Sequence, residues 1–177
     1  MSLHLPPHPH TIAPDFSLSD LDGRPVRLSD RRGRIVVLCF WSAECRHAER
    51  SDAVLRPLLD QWGERVIYLP VASNANESPA QMRAAAAERD VPLPLWDANS
   101  AVADLYGVRV TPHFFVIDAG GVLRYQGGLD DTTFRKREPT RWYVREAVEA
   151  LLAGRQVEVD QSEPYGCTLV RFKGLMA

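Results

Sequence analysis

A three-layer α/β sandwich, with a mixed central sheet flanked by helices, is the fold this sequence predicts, and three observations carry it. The run IVVLCFW at 35–41 is apolar without interruption and rich in β-branched residues, as in a strand covered on both faces. Strand-like and helix-like segments then alternate through the first half of the chain, which implies crossover connections and parallel pairing. Near the end of the domain, FFVID (114–118) and GVLRYQG (121–127) meet at Ala119-Gly120-Gly121 and add an antiparallel hairpin to the same sheet.

The elements follow in order. Residues 1–12 carry His4, His8 and His10 among three prolines and are expected to form a flexible arm without fixed ligand geometry. The alternating runs of DFSLSDLDGRPVRLSD (15–30) flank Asp22-Gly23, the strongest short hairpin signal. Behind the central strand, Val54, Leu55, Leu58, Leu59 and Trp62 recur at helical spacing. A helix over 45–62 is predicted, kinked at Pro57, with Glu49 and Asp52 on its outer face. RVIYLPVAS (65–73) reads as the next strand, and Ser78-Pro79 opens an alanine-rich helix through 89. PLPLWD (92–97) gives a short strand and SAVADLYGV (100–108) a brief helix ended by Gly107. The last helix, over 140–154, turns Trp142, Val144, Ala147, Val148, Leu151 and Leu152 to the sheet. The domain is therefore set at 13–155. The tail 156–177 has no helical period and is expected to be irregular but partly docked.

Composition narrows the function classes. With 177 residues, 45% hydrophobic and 25% charged, the chain is an ordinary single globular domain. A net charge of −2 favours neither nucleic acid nor an anionic membrane surface. No apolar run approaches the roughly 18 residues of a membrane helix, and the start has no leader pattern, so a cytoplasmic protein is expected. Three cysteines, Cys39, Cys45 and Cys167, cannot all pair within one chain. In a reducing compartment attention moves from scaffolding to reactivity.

Cys45 stands where the buried strand gives way to a helix, with Arg46 and His47 following it. Unpaired helix amides, the positive end of the helix dipole, a permanent cation and a possible second one are expected to hold this thiol below the free value of roughly 8.5, substantially ionised at neutral pH. Cys39, inside the apolar strand, reads as a small buried residue. Cys45, His47 and the N-terminal histidines lack the ligand count of a closed metal site, so no metal or organic cofactor is expected.

In this order APDFSLSDLDG, VVLCFWSAEC, YGVRVTPHFFVID and the closing hairpin resemble the thioredoxin superfamily, in its redoxin or AhpC/TSA-like branch. C-x-H at 45–47, ASNANESPAQM at 72–82, YGVRVTPHFF at 106–115, GGLDD at 127–131 and EPYGCTLVRF at 163–172 are similar more narrowly to peroxiredoxin-like proteins of uncharacterised activity. The resemblance implies a thioredoxin-like sandwich with Cys45 as nucleophile. It also implies a cis-proline loop at Thr111-Pro112 facing the cysteine, with its backbone open to an extended substrate, and Trp41 as a further substrate contact.

Three positions depart from the redox pattern. Ala48 replaces the second cysteine of C-x-x-C, so dithiol exchange within that motif is ruled out. Cys39 replaces the buried carboxylate of the central strand, and Leu38 replaces the proline of the peroxidase pattern. Two readings of Cys167, in PYGCT, stay open: it resolves an oxidised Cys45, or it is an incidental tail thiol. The first requires the tail to fold back until the two Cα atoms lie within roughly 7 Å. The expected function is a thiol-dependent oxidoreductase acting by thiol–disulfide exchange or weak peroxide reduction. Its partners would be a thioredoxin- or glutathione-type reductant and a disulfide or peroxide substrate. The contrasting reading is a non-catalytic binding or redox-sensing module built around Pro112.

Overall fold

The computed structural model describes residues 5–172 of the 177. A first hairpin pairs β1 (Ser17–Ser19) with β2 (Pro25–Arg27) in antiparallel register. Its turn is held by the Asp20 carboxylate, which accepts the amides of Asp22 and Arg24. β3 (Ile35–Trp41) then runs through the middle of the molecule, buried at every residue. α1 (Arg46–Trp62), β4 (Val66–Ala72), α2 (Pro79–Glu88), β5 (Leu95–Trp96) and α3 (Ala101–Leu105) follow. Next come β6 (Val110–Thr111), β7 (His113–Ile117), β8 (Leu123–Gly127), α4 (Tyr143–Leu152) and a last strand, β9 (Cys167–Thr168).

The central sheet has the order β5-β4-β3-β7-β8. β3 is parallel to β4 and antiparallel to β7, so the sheet is mixed as expected. Period-two alternation in β3 explains its unbroken apolar run. Ile35, Val37, Cys39 and Trp41 join a core with Leu55 and Trp62 of α1, Met82 of α2 and Val144 and Val148 of α4. Val36, Leu38 and Phe40 join a second core on the opposite face with Phe16, Tyr106, Phe115 and Leu169. Both faces are dry, and one side chain in two serves each.

Local chemistry sets the helix boundaries. Ser78 caps α2 by accepting the Gln81 amide, while Gln81 Oε1 accepts the Ser78 amide at 2.8 Å, and Pro79 sits where no donor is needed. α1 continues through Pro57 as one element.

Three sequence expectations change. Asp52 is fully buried on the inner face of α1, because it lies one turn before Leu55 in the same stripe. The N-terminal arm is tied down in its described part. The His10 amide donates to the Leu123 carbonyl at 2.7 Å, the Leu123 amide to Thr11 at 2.8 Å, and Ile12 bridges Val122, so the open edge of β8 recruits it. His4 lies outside the described residues, and His10 pairs with Asp160 at 3.0 Å. The tail contains a short strand that the sequence does not announce, β9, which pairs antiparallel with β6. Among the described residues no helix is long and apolar enough to cross a membrane.

Candidate functional site

β3 delivers the chain to the loop Ser42–Glu44, and Cys45 caps α1 with an extended backbone (φ −85°, ψ 115°). Its carbonyl accepts the Glu49 amide at 3.0 Å, the first bond of the helix, and its own amide donates to Ser42 Oγ at 3.1 Å. The loop is gripped from two sides. The buried Glu77 carboxylate accepts the Ser42 hydroxyl, the Ala43 amide at 2.9 Å and the Glu44 amide at 3.4 Å. From the other side the Arg89 guanidinium donates to the carbonyls of Ser42, at 3.1 Å, and Ala43. Charge-assisted bonds of this kind are the stronger class, so the loop is a rigid platform for the sulfur.

The sulfur itself is buried, Cys45 being 2% exposed. It makes no cap bond to the amides of α1. Its thiol donates instead to the Thr111 carbonyl at 3.2 Å, and Cys167 Sγ lies 2.8 Å away. The Thr111-Pro112 bond is cis. Thr111 therefore serves both strands of the site: its carbonyl meets Cys45, and its Cα pairs with that of Cys167 in the β6–β9 register.

The tail reaches this place in two stages. Residues 160–162 run beside β8: the Gln126 amide donates to the Asp160 carbonyl, the Ser162 amide to the Gln126 carbonyl, both at 3.0 Å, and Ser162 Oγ lies 2.6 Å from the Tyr125 hydroxyl. Residues 165–171 then cross the site. The Leu169 amide donates to the Arg109 carbonyl at 2.9 Å, the Ala75 amide to the Val170 carbonyl at 2.9 Å, and the Val170 amide to Asn74 Oδ1 at 2.8 Å. Asn74 Nδ2 in turn donates to Glu77 at 3.3 Å, which links the tail to the cysteine loop. A Cβ at Gly166 would overlap the Thr111 carbonyl, so glycine is there for close approach of two backbones, where a turn was expected.

The sequence-predicted residues fall into three groups. Cys45, Cys167, Thr111 and Pro112 come together. Arg46 is exposed, and its charge favours the ionised form of Cys167. That influence is outweighed: burial, then contact with Cys45, push the Cys167 thiol up to about 11. Cys167 is exposed as a residue, but its sulfur faces the buried Cys45.

His47 and Trp41 are corrections. Burial, then the charges of Arg46 and Arg50, lower the His47 pKa, so at neutral pH the ring is not the second cation the sequence suggested; it packs edge-on against Tyr165 at 4.9 Å. Trp41 is 0% exposed, donates through Nε1 to Asp52 at 2.7 Å and carries the Arg89 guanidinium over its ring. It supports the site from below and has no surface to offer a substrate. Cys39 is fully buried, its thiol pushed well above the usual range by burial and by the Asp52 charge.

Sequence reasoning missed Glu77, Arg89, Asn74 and the inward position of Asp52. Asp52 accepts from Trp41, from the Tyr68 hydroxyl at 3.0 Å and from Arg89 at 3.4 Å, and burial raises its pKa. Its spacing from Leu55 was the one available signal. With the tail in place the gap between Pro112, His47, Gly128 and Tyr165 measures about 20 Å³, room for about one water and for no substrate group. Among the described residues no group of three or more His, Cys, Asp or Glu side chains could hold a metal ion.

Residues 9–126 match the AhpC/TSA family. The chain is 34% identical over 115 residues to the thiol-disulfide oxidoreductase ResA of Geobacillus thermodenitrificans, and 28% identical over 113 residues to the thioredoxin-like protein YneN of Bacillus subtilis. These alignments cover 64% and 63% of this chain, and the chain spans 66% of the length of each of these curated relatives. Among solved structures, an uncharacterized conserved protein from Geobacillus kaustophilus superposes with a TM-score of 0.83 at 29% identity, covering 96% of this chain and 94% of that one. A hypothetical protein from Sinorhizobium meliloti gives a TM-score of 0.83 at 27% identity, covering 96% and 98%. The tail that carries Cys167 lies beyond the family match, whereas the two structural likenesses extend well past residue 126.

Proposed function

The chain belongs to the AhpC/TSA family, and from that premise we propose that it is a thiol–disulfide oxidoreductase whose working pair is Cys45 and Cys167. The observation that carries this reading is the 2.8 Å approach of two free sulfurs 122 residues apart in sequence. A disulfide of about 2.05 Å needs only a small further closure. The names of ResA and its relatives support exchange chemistry, while Ala48, fully buried in α1, leaves no second thiol in the helix itself.

The steps balance as follows. Cys45 gives up its proton to solvent and as thiolate attacks one sulfur of a substrate disulfide, a Cys45–substrate bond forms, and the other substrate sulfur leaves as a thiolate. Cys167 gives up its proton to solvent and attacks Cys45, the Cys45–Cys167 bond forms, and the second substrate sulfur leaves. Two external thiols, of a thioredoxin- or glutathione-type reductant, then restore the pair and emerge as a disulfide. No cofactor enters any step.

Peptide mapping of the mildly oxidised protein under non-reducing conditions tests the pair, together with turnover of a protein disulfide against supplied thiol. A Cys45–Cys167 linked peptide and turnover abolished by Cys45→Ser are expected. No turnover in the unsubstituted protein would replace this reading with a binding or redox-sensing module. Turnover of peroxide alone would replace it with peroxide reduction.

A further inference from the structure

The strand edge beside Cys45 is already taken. Val110 and Thr111 present a short strand edge next to the thiol, the kind of edge on which an extended peptide docks by backbone pairing. In this structure β9, from the chain's own tail, fills it, with Val110 opposite Thr168 and Thr111 opposite Cys167. With the tail in place, and Cys167 Sγ against its sulfur, Cys45 is only 2% exposed.

How firmly the tail holds differs along its length. Ser162 is locked to β8 and Tyr125, and Gly127 lies so close to Ser162 that a Cβ there would overlap it. Residues 165–171 are held more lightly. Leu169, 4% exposed, is their one buried side chain, and the backbone bonds to Arg109, Ala75 and Asn74 can be replaced by water once the segment lifts. The Arg171–Asp104 ion pair is solvent-exposed and weak. Such segments open locally at a small fraction of the global unfolding free energy. Pro164 and the stretch just after Ser162 are the natural pivot.

Resting on the Cys45–Cys167 reading, we propose that residues 165–171 are a resident pseudosubstrate: they compete with an extended, disulfide-bearing segment of a protein substrate for the Val110–Thr111 edge, and their return both delivers Cys167 and expels the substrate strand. The substrate class follows. A protein substrate gains access to Cys45 only when the strap is off, and the same strand exchange that resolves the mixed disulfide removes the pairing that held the peptide. A small thiol needs no strand edge. In the oxidised protein it reaches Cys167, the more exposed residue, where its sulfur bonds to Cys167 and the electron pair of the broken bond leaves with Cys45; a second thiol then releases Cys167 and departs as the disulfide.

The test reads access to Cys45 in the reduced protein, by mass spectrometry of iodoacetamide labelling at each cysteine over time, and needs no turnover. Two variants loosen the strap without altering either sulfur. Gly166→Ala drives a methyl group into the Thr111 carbonyl, and Leu169→Asp removes the buried anchor. Losing one or two bonds of the strap raises the open fraction by about tenfold, so Cys45 labelling should accelerate by about that factor in both variants. Cys167 labelling should change less. A Cys45 rate unchanged in both variants, with far-ultraviolet circular dichroism intact, overturns the strap. Absence of a Cys45–Cys167 link in the oxidised unsubstituted protein would instead sink the exchange reading, so the two failures are told apart.

Discussion

Two segments meet at the pair of sulfurs, and they are built on opposite plans. In the loop before α1, Ser42, Ala43 and Glu44 give their donors to the Glu77 carboxylate, the carbonyls of Ser42 and Ala43 accept from Arg89, and the Cys45 carbonyl starts the helix. In the tail, residues 165–171 make a two-residue strand, one buried anchor and a few backbone bonds, to β6 and Arg109 on one side and to Asn74 and Ala75 on the other. Polar groups satisfied by buried charged partners are expensive to move, whereas a short segment with a single buried side chain opens locally. On the proposed pairing, the difference makes Cys45 the sulfur held in place and Cys167 the one delivered to it. Ala48, fully buried, occupies the position from which a C-x-x-C helix would supply both.

The largest effect that can break this contrast is kinetic. If Cys167 is the delivered partner, Cys167→Ser should still form one equivalent of mixed disulfide at Cys45 with a protein disulfide but stall there. Steady-state turnover should fall by about a hundredfold, the rest being slow rescue by external thiol. A burst of one product per protein followed by a near-halt is the expected trace, and turnover unchanged from the parent protein removes Cys167 from the reaction.

Titration offers a second way to separate the segments. Burial lowers the pKa of His113, on the fixed sheet, to about 4, and its Nδ1 has no partner. In the unfolded chain the ring titrates near its model-compound value of 6.5. Its neutral form thus supports folding fully above pH 6.5, and that support is lost as pH falls from 6.5 towards 4, because the unfolded chain takes up the proton first. The loss amounts to about 3 kcal/mol. In His113→Phe, which keeps the stack on Phe115, the slope of urea-denaturation stability between pH 6.5 and 4 should flatten. It should persist unchanged in Leu169→Asn, which loosens the strap without adding a group that titrates in this range, because the titrating group belongs to the body and not to the strap.

How much of this was legible in the sequence follows the same division. β3, β4 and α1 are long and strongly patterned, so their burial and period show directly, and Cys45 falls where strand meets helix. β6 and β9 are two residues each, below the length at which any period exists, so the strand pairing that joins Thr111 to Cys167 had no local signal. Glu77 lies in the polar run SNANES, which reads as a solvated loop; nothing in that composition says that one carboxylate turns inward to collect amides. Asp52 was misplaced because its charge was weighed above its spacing. The resemblance points Trp41 at a substrate, whereas the alternation of β3 puts its side chain in the core with Val37 and Cys39.

The smallest effect comes from opposing a buried polar group of the cysteine loop to a more exposed one of the tail. Glu77→Gln keeps the shape but turns an amide NH₂ towards a set made up only of donors: the Ser42 hydroxyl, the Ala43 and Glu44 amides and Asn74 Nδ2. Every donor loses its charged acceptor and at least one, facing the new NH₂, is left with none, so a loss of about 2 kcal/mol in urea-denaturation stability is expected. Arg171→Ala in the tail removes two bonds, to Asp104, which is exposed, and to the Val108 carbonyl, which water can reach through the space the long side chain vacates. Its cost should stay within about 0.5 kcal/mol. Equal losses from the two substitutions would mean that the tail is as integral to the fold as the cysteine loop, and the distinction between a held and a delivered sulfur would have no energetic basis.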